Sequence, residues 1–295
     1  SNNNSSSSSI SGRGNSILTK PTKRPPAVAG MFYPSNEHEL RLTIDQSFRN
    51  TKFGPGRPPP ALTTSAEEER KIYGIVCPHA GYTYSGAVAA NGFYAISASD
   101  FDNVVMVGPN HYGIGSGVAT MKGGTWETPL GQVQVNSEWT QEIARKSGII
   151  DFDDFAHSRD HCLEVQLPFL QSIKSRFTIV PVILIMQDID TAFDVGKAIA
   201  DTVVENPKTK TILIASSDLT HYEPNIMAHE KDNELIKAML TLDVTKFYAV
   251  LERMDVSACG YGAIASIMVA AKNMGATRGE LLKYATSGDV TGDTD

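Results

Sequence analysis

The chain has 295 residues, of which 41% are hydrophobic and 20% charged, with both signs interspersed and a formal net charge of −7. That length and balance are enough for a sizeable core without disulfides or a structural metal. The acidic balance, with no basic stripe, weighs against a nucleic-acid or anionic-membrane surface. The densest basic cluster is Lys23, Arg24 and Lys20, in a Pro-containing lead-in. Three cysteines, Cys77, Cys162 and Cys259, cannot all pair within the chain. Residues 1–16 contain no apolar core of the secretory type. No apolar run approaches the roughly 18 residues a membrane helix needs. A reducing, cytoplasmic setting is the expectation that follows.

In chain order, residues 1–16 are Ser/Asn/Gly-rich and expected to be disordered, because they bury nothing that offsets ordering entropy. We set a tail at 1–24 and a single α/β domain at 25–295. A helix is expected over 35–49, capped by Ser35, and a Pro-rich surface loop from Phe53 to Glu68. Four runs read as strands covered on both faces: 72–77 (IYGIVC), 103–108 (NVVMVG), 178–185 (TIVPVILI) and 211–216 (TILIAS). Between and after them, helical patterns cover 85–97, 137–147, 163–175, 191–205, 226–241 and 260–274. Asn136 is a suitable N-cap, and Gly148 and Gly275 are suitable stops. The stretch 124–135 (GTWETPLGQVQV) reads as a hairpin that adds an antiparallel edge. The alternation predicts a mixed, mostly parallel central sheet with helices on both faces.

Polar motifs fall where strands end. His79 follows the first strand in PHAGYTYSG, His111 follows the second in PNHYG, and Asp218 with His221 follows the fourth in SDLTHY. In an open α/β sheet the carboxyl ends of parallel strands share one edge, so these loops should meet in a cleft. A single loop His is ordinarily a hydrogen-bonded structural residue, but three independent strand ends each delivering one point to a site. His38 and His229 read as surface residues of amphipathic helices, and His157 fits either role. His161 and Glu164, three apart in DHCLEVQLPFL, either face the cleft as substrate-binding residues or pack as part of a kinked core helix. Cys259 precedes a small-residue helix. It is either a thiolate favoured by the helix N-terminus or a small buried residue. Cys77 and Cys162 read as core residues. Two imidazoles with a thiolate or carboxylate leave open positions on a metal, which suits iron, copper or zinc. Asp218 and His221 would then act as an acid/base pair beside it.

Taken together, PAVAGMFYPS (26–35), CPHAGYTYSG (77–86), VGPNHYG (107–113), DHCLEVQLPFL (160–170), SSDLTHY (216–222), SACGYGA (257–263) and TSGDVTGD (286–293) resemble the Memo family, the AmmeMemoRadiSam-type protein B group. That family is similar in fold to class III extradiol dioxygenases. The resemblance implies metal ligands at His79, His111 and Cys259, catalytic or polar cleft roles for Asp218 and His221, and a further strand beyond Asp295. It departs from the dioxygenases at Cys259, where they carry a carboxylate, and from the usual family pattern at Cys162, where Ser follows His. Three functions stay open. One is a metal-dependent oxidoreductase holding one transition-metal ion, iron or copper foremost and zinc besides. Another is a non-catalytic regulatory scaffold whose cleft holds a small-molecule or peptide ligand. The third and weakest is a hydrolase with Cys259 as nucleophile and His221 as base. No nucleic acid and no membrane span are expected among its partners.

Overall fold

The computed structural model describes residues 22–60, 71–218, 225–255 and 260–282, with backbone alone for 225–232. Expectations for residues 1–21, for His221 and for Cys259 lie outside the described residues. The chain opens with β1 (Lys23–Arg24) and α1 (Glu37–Arg49), then β2 (Gly74–Cys77) and α2 (Tyr82–Ile96). Next come β3 (Asn103–Pro109), β4 (Val118–Thr120), β5 (Thr125–Thr128), β6 (Gly131–Val135) and α3 (Ser137–Lys146). A short stretch follows of β7 (Asp151–Phe152), α4 (Asp154–His157), α5 (His161–Glu164) and α6 (Leu167–Ile173). The last part holds β8 (Thr178–Leu184), α7 (Ile189–Glu205), β9 (Thr211–Ser216), α8 (Asn225–Leu240), α9 (Val244–Met254) and α10 (Tyr261–Met274).

These strands form one nine-stranded sheet in the order β1-β5-β6-β8-β3-β9-β2, with β4 and β7 branching from β8. Strands β8, β3, β9 and β2 are neighbours in parallel order and are the four expected runs; β8, β3 and β9 are covered on both faces, whereas β2, at the end of the order, leaves Val76 exposed. The alternation of the pleat divides β8, β3 and β9 between two cores. Val104 and Met106 of β3 join Ile179, Ile183, Ile212 and Ile214 under one helical layer, with Leu40, Phe48, Phe93 and Phe169 supplied by α1, α2 and α6. Val105 and Val107 join Val180, Val182, Leu213 and Ala215 on the opposite face, covered by Ile143 of α3, Ile199 of α7, Phe247 of α9 and Ile264 of α10. The expected mixed, mostly parallel sheet between two helical layers is what is found.

Differences from expectation have local causes. The pattern at 163–175 is two helices, not one kinked helix, because Pro168 takes a first-turn position, where its missing N–H costs nothing, and so starts α6. Asn36 rather than Ser35 caps α1, its side chain accepting from Glu39 N. Helix α3 ends one residue before the expected stop, with Ser147 as C-cap, while Gly275 terminates α10 in the left-handed region at φ 116°. The hairpin β5–β6 is antiparallel as expected, but β1 pairs with β5 beyond it. Both residues of β1 thus lie on the tail side of the expected boundary between 24 and 25. Helix α9 lies outside the expected elements although Val244, Phe247 and Val250 recur at helical spacing behind the Asp243 cap; the two- to three-residue strands β1, β4 and β7 carry too little pattern to be read beforehand. No helix among the described residues is long and apolar enough to cross a membrane.

Candidate metal centre

Because β3, β9 and β2 are adjacent and parallel, the residues that follow them share one edge of the sheet. His79 comes two residues after β2, Asp218 two residues after β9, and His111 two residues after β3. The His79 and His111 rings meet edge to face, with centroids 4.9 Å apart. A third imidazole joins them from outside the strand ends. His161, the first residue of α5, stacks on His111 at 4.4 Å and meets His79 edge-on at 5.5 Å. One nitrogen from each of His79, His111 and His161 lies within 4.8 Å of the others.

The approach of α5 depends on Gly108. A Cβ at that position would stand 2.6 Å from Cys162 Sγ and 3.1 Å from Leu163 Cδ2, so a side chain there could be admitted only by a shift of those groups or of β3. Cys162 is fully buried and its thiol donates to Pro109 O at 3.3 Å. Cys77 is also buried, and burial alone pushes its thiol far above the ordinary range, as fits a core residue.

Each imidazole is held by a defined partner. His79 is buried, with Nδ1 2.8 Å from Ser216 Oγ. Ser216 Oγ donates to Cys162 O at 2.8 Å and accepts from Gln166 Nε2 at 3.2 Å. The His79 backbone N–H donates to Asp218 Oδ1 at 2.8 Å, and Asp218 Oδ2 lies 3.5 Å from His79 Nε2. His111 Nδ1 lies 3.1 and 3.2 Å from the two oxygens of Asp160, which also accept the backbone N–H groups of His111 at 2.7 Å and Cys162 at 2.9 Å. Burial raises the Asp160 pKa, but these hydrogen bonds and the His111 ring outweigh it and hold the carboxyl below the usual range. His161 is gripped between His111 and Phe32, the latter stacked at 4.3 Å and 17°. Burial first, then the proximity of His111 and His79, lowers its pKa to about 4, so this imidazole is neutral at ordinary pH.

Glu164 does not join the group, although the spacing from His161 suggested one face. Helix α5 is a single turn, and Glu164 at its far end is fully buried against the start of the chain. Its carboxylate accepts from Arg24 Nη1 at 2.7 Å, Ala27 N at 2.8 Å, Val28 N at 3.1 Å and Tyr33 Oη at 2.7 Å. The expected substrate-binding role thus meets a carboxylate already engaged by four donors. His157 is likewise a core residue, with Nε2 2.9 Å from Ala119 O. Sequence reasoning passed over Asp160, Ser216 and Phe32. An acidic residue directly before a one-turn helix was the available signal for Asp160; nothing local marks the other two.

The donor set suits a transition-metal ion. Two nitrogens bonded at about 2.0–2.1 Å to one ion stand at most about 4.2 Å apart, so side-chain shifts under about 1 Å suffice to share it. Gly260, which follows Cys259 in the chain, sits at the same edge. Its φ is +97°, and a Cβ there would lie 2.5 Å from Ser216 O and 3.2 Å from Pro109 Cδ.

Residues 24–295 match the family model described as Memo-like protein. The chain is 50% identical over 272 residues to a MEMO1 family protein of Nitrosopumilus maritimus, covering 92% of this chain and 95% of that protein. It is 47% identical over 273 residues to one of Methanopyrus kandleri, covering 92% and 94%. A third, from Methanothermobacter thermautotrophicus, is 43% identical over 271 residues, covering 92% and 95%. With its sheet, its histidine group and this breadth of match in hand, the chain belongs to the Memo family.

Proposed function

We propose that this protein holds one transition-metal ion with His79, His111 and Cys259 and uses it as a metal-dependent oxidoreductase. The observation that carries the reading is the meeting of His79 and His111, from adjacent strand ends, with His161. Cys259 enters through its covalent link to Gly260, which packs against the ends of β3 and β9. Imidazole with thiolate suits iron(II) or copper, with zinc the redox-silent outcome. A bound ion would supply Lewis-acid polarisation and, as iron or copper, one-electron chemistry. The protein's own part is to hold the donors, keep His161 neutral beside them, and offer Asp218 and His221 as proton carriers. The cleft would take a small-molecule or peptide ligand.

The test is metal content after anaerobic purification, measured for wild type and for His79→Ala, His111→Ala and Cys259→Ala. Each should lose stoichiometric metal while keeping its far-UV circular dichroism, because a core of this size does not need the ion to fold. His221→Ala should retain metal, with affinity weakened about 10–100-fold at most. Wild-type metal content in the three ligand variants would end the reading.

A further inference from the structure

We propose that Asp160 is a positioning residue that holds the His111 ring as its Nδ1–H tautomer, which leaves the lone pair on Nε2 for a metal. The inference rests on the metal reading above only for its consequence, since the tautomer exists with or without an ion. Both Asp160 oxygens face His111 Nδ1, at 3.1 and 3.2 Å. A carboxylate accepts and does not donate, so the nitrogen it faces carries the proton, and a neutral imidazole then has its lone pair on the other nitrogen. The same carboxylate fixes the backbone that bears the ring, accepting the His111 N–H at 2.7 Å. Asp160 is itself held from behind, because Arg24 Nη2 donates to its carbonyl at 2.8 Å. The side chain is 3% exposed, so water does not compete for these bonds. An outer carboxylate that orients a ligating imidazole and raises its basicity is a recurrent device at metal sites.

Asp160 has a second task that any test must separate. Its Oδ1 accepts the Cys162 N–H at 2.9 Å and so caps α5. Asn and Ser are both competent caps, which makes Asp160→Asn and Asp160→Ser the informative variants. Asn can turn an amide N–H toward Nδ1 and so favour the Nε2–H form, while Ser is too short to reach the ring. Histidine tautomers are read from long-range proton–nitrogen correlation spectra of the metal-free protein at mildly alkaline pH. Zinc(II) affinity is read in parallel by chelator competition. Wild type should show His111 as Nδ1–H. The Asn variant should shift it toward Nε2–H, and both variants should bind zinc about 10–100-fold more weakly with near-native circular dichroism. A wild-type Nε2–H ring overturns the proposal, as does zinc affinity within about twofold of wild type in both variants. If zinc leaves the wild-type His111 signals untouched, the metal reading falls, while the tautomer measured in wild type and the Asn variant still decides the role of Asp160.

Discussion

Arg24 is the place where a single substitution should cost most for its size. Its guanidinium donates to Glu164 at 2.7 Å, to His157 O at 2.7 Å and to Asp160 O at 2.8 Å, and lies 4.1 Å over the Trp126 ring. Arg24 is 4% exposed and Glu164 0%, so the pair has no solvent screening to soften its loss. Arg24→Met keeps most of the aliphatic volume and removes the charge, leaving a buried carboxylate without its cation and two carbonyls without a donor. Breaking a buried pair on one side costs about 3–5 kcal/mol, because the surviving charge is stranded. Against a total stability of about 5–15 kcal/mol, that is a large fraction. With a shift of about 2–4 °C per kcal/mol for a chain approaching this size, the melting midpoint should fall by about 6–20 °C. Arg24→Met/Glu164→Gln removes both charges and keeps one acceptor for Ala27, Val28 and Tyr33, so it should be less destabilised than Arg24→Met alone. Urea unfolding of wild type, both single variants and the double gives the coupling directly. A loss under about 1 kcal/mol for Arg24→Met, or a double variant no more stable than that single, would refute the account of a charge stranded in the core.

His157 gives a pH dependence of known sign. Burial lowers its pKa to about 4 from the ordinary 6.5, so its contribution is complete above pH 6.5 and is lost as pH falls from there toward 4, to a total of about 3 kcal/mol. Urea midpoints across that window should fall more gently for His157→Gln, which keeps a donor for Ala119 O; parallel slopes would show the acid sensitivity arises elsewhere. Gly108→Ala should drive Cys162 outward and weaken metal binding, and Cys162→Ala in the same chain should restore it by vacating the 2.6 Å contact. Restoration failing in the double variant would mean that β3, not α5, gives way.

How much of this was legible beforehand divides by range. Strands β8, β3 and β9 announced themselves because burial on both faces forces continuous apolarity, and Val104 to Val107 serve two cores without a polar residue between them. The position of His79, His111 and Asp218 just past β2, β3 and β9 was equally legible, since parallel neighbours put their carboxyl ends together. Glu164 was not. Its partner Arg24 lies 140 residues away in a stretch whose Pro and Lys content reads as a tail, and only the pairing of β1 with β5 brings it into the core. A two-residue strand has no periodicity to detect.

The same long-range link explains why His161 was read less sharply than it is placed. As part of one helix from 163 onward it would be a flanking residue with an arbitrary direction. The helix instead breaks at Val165–Gln166, ahead of Pro168, and α5 becomes a one-turn unit fixed at both ends, by Asp160 at its cap and by Glu164 through Arg24 and Tyr33. Phe32, eight residues after Arg24, then closes on the outer face of the His161 ring. The start of the domain therefore does more than cover an edge of the sheet: it sets the third imidazole against the two that the strands deliver. Sequence patterns report local periodicity, and this arrangement does not depend on it. It rests on a buried carboxylate and guanidinium whose meeting is decided by the topology of the sheet.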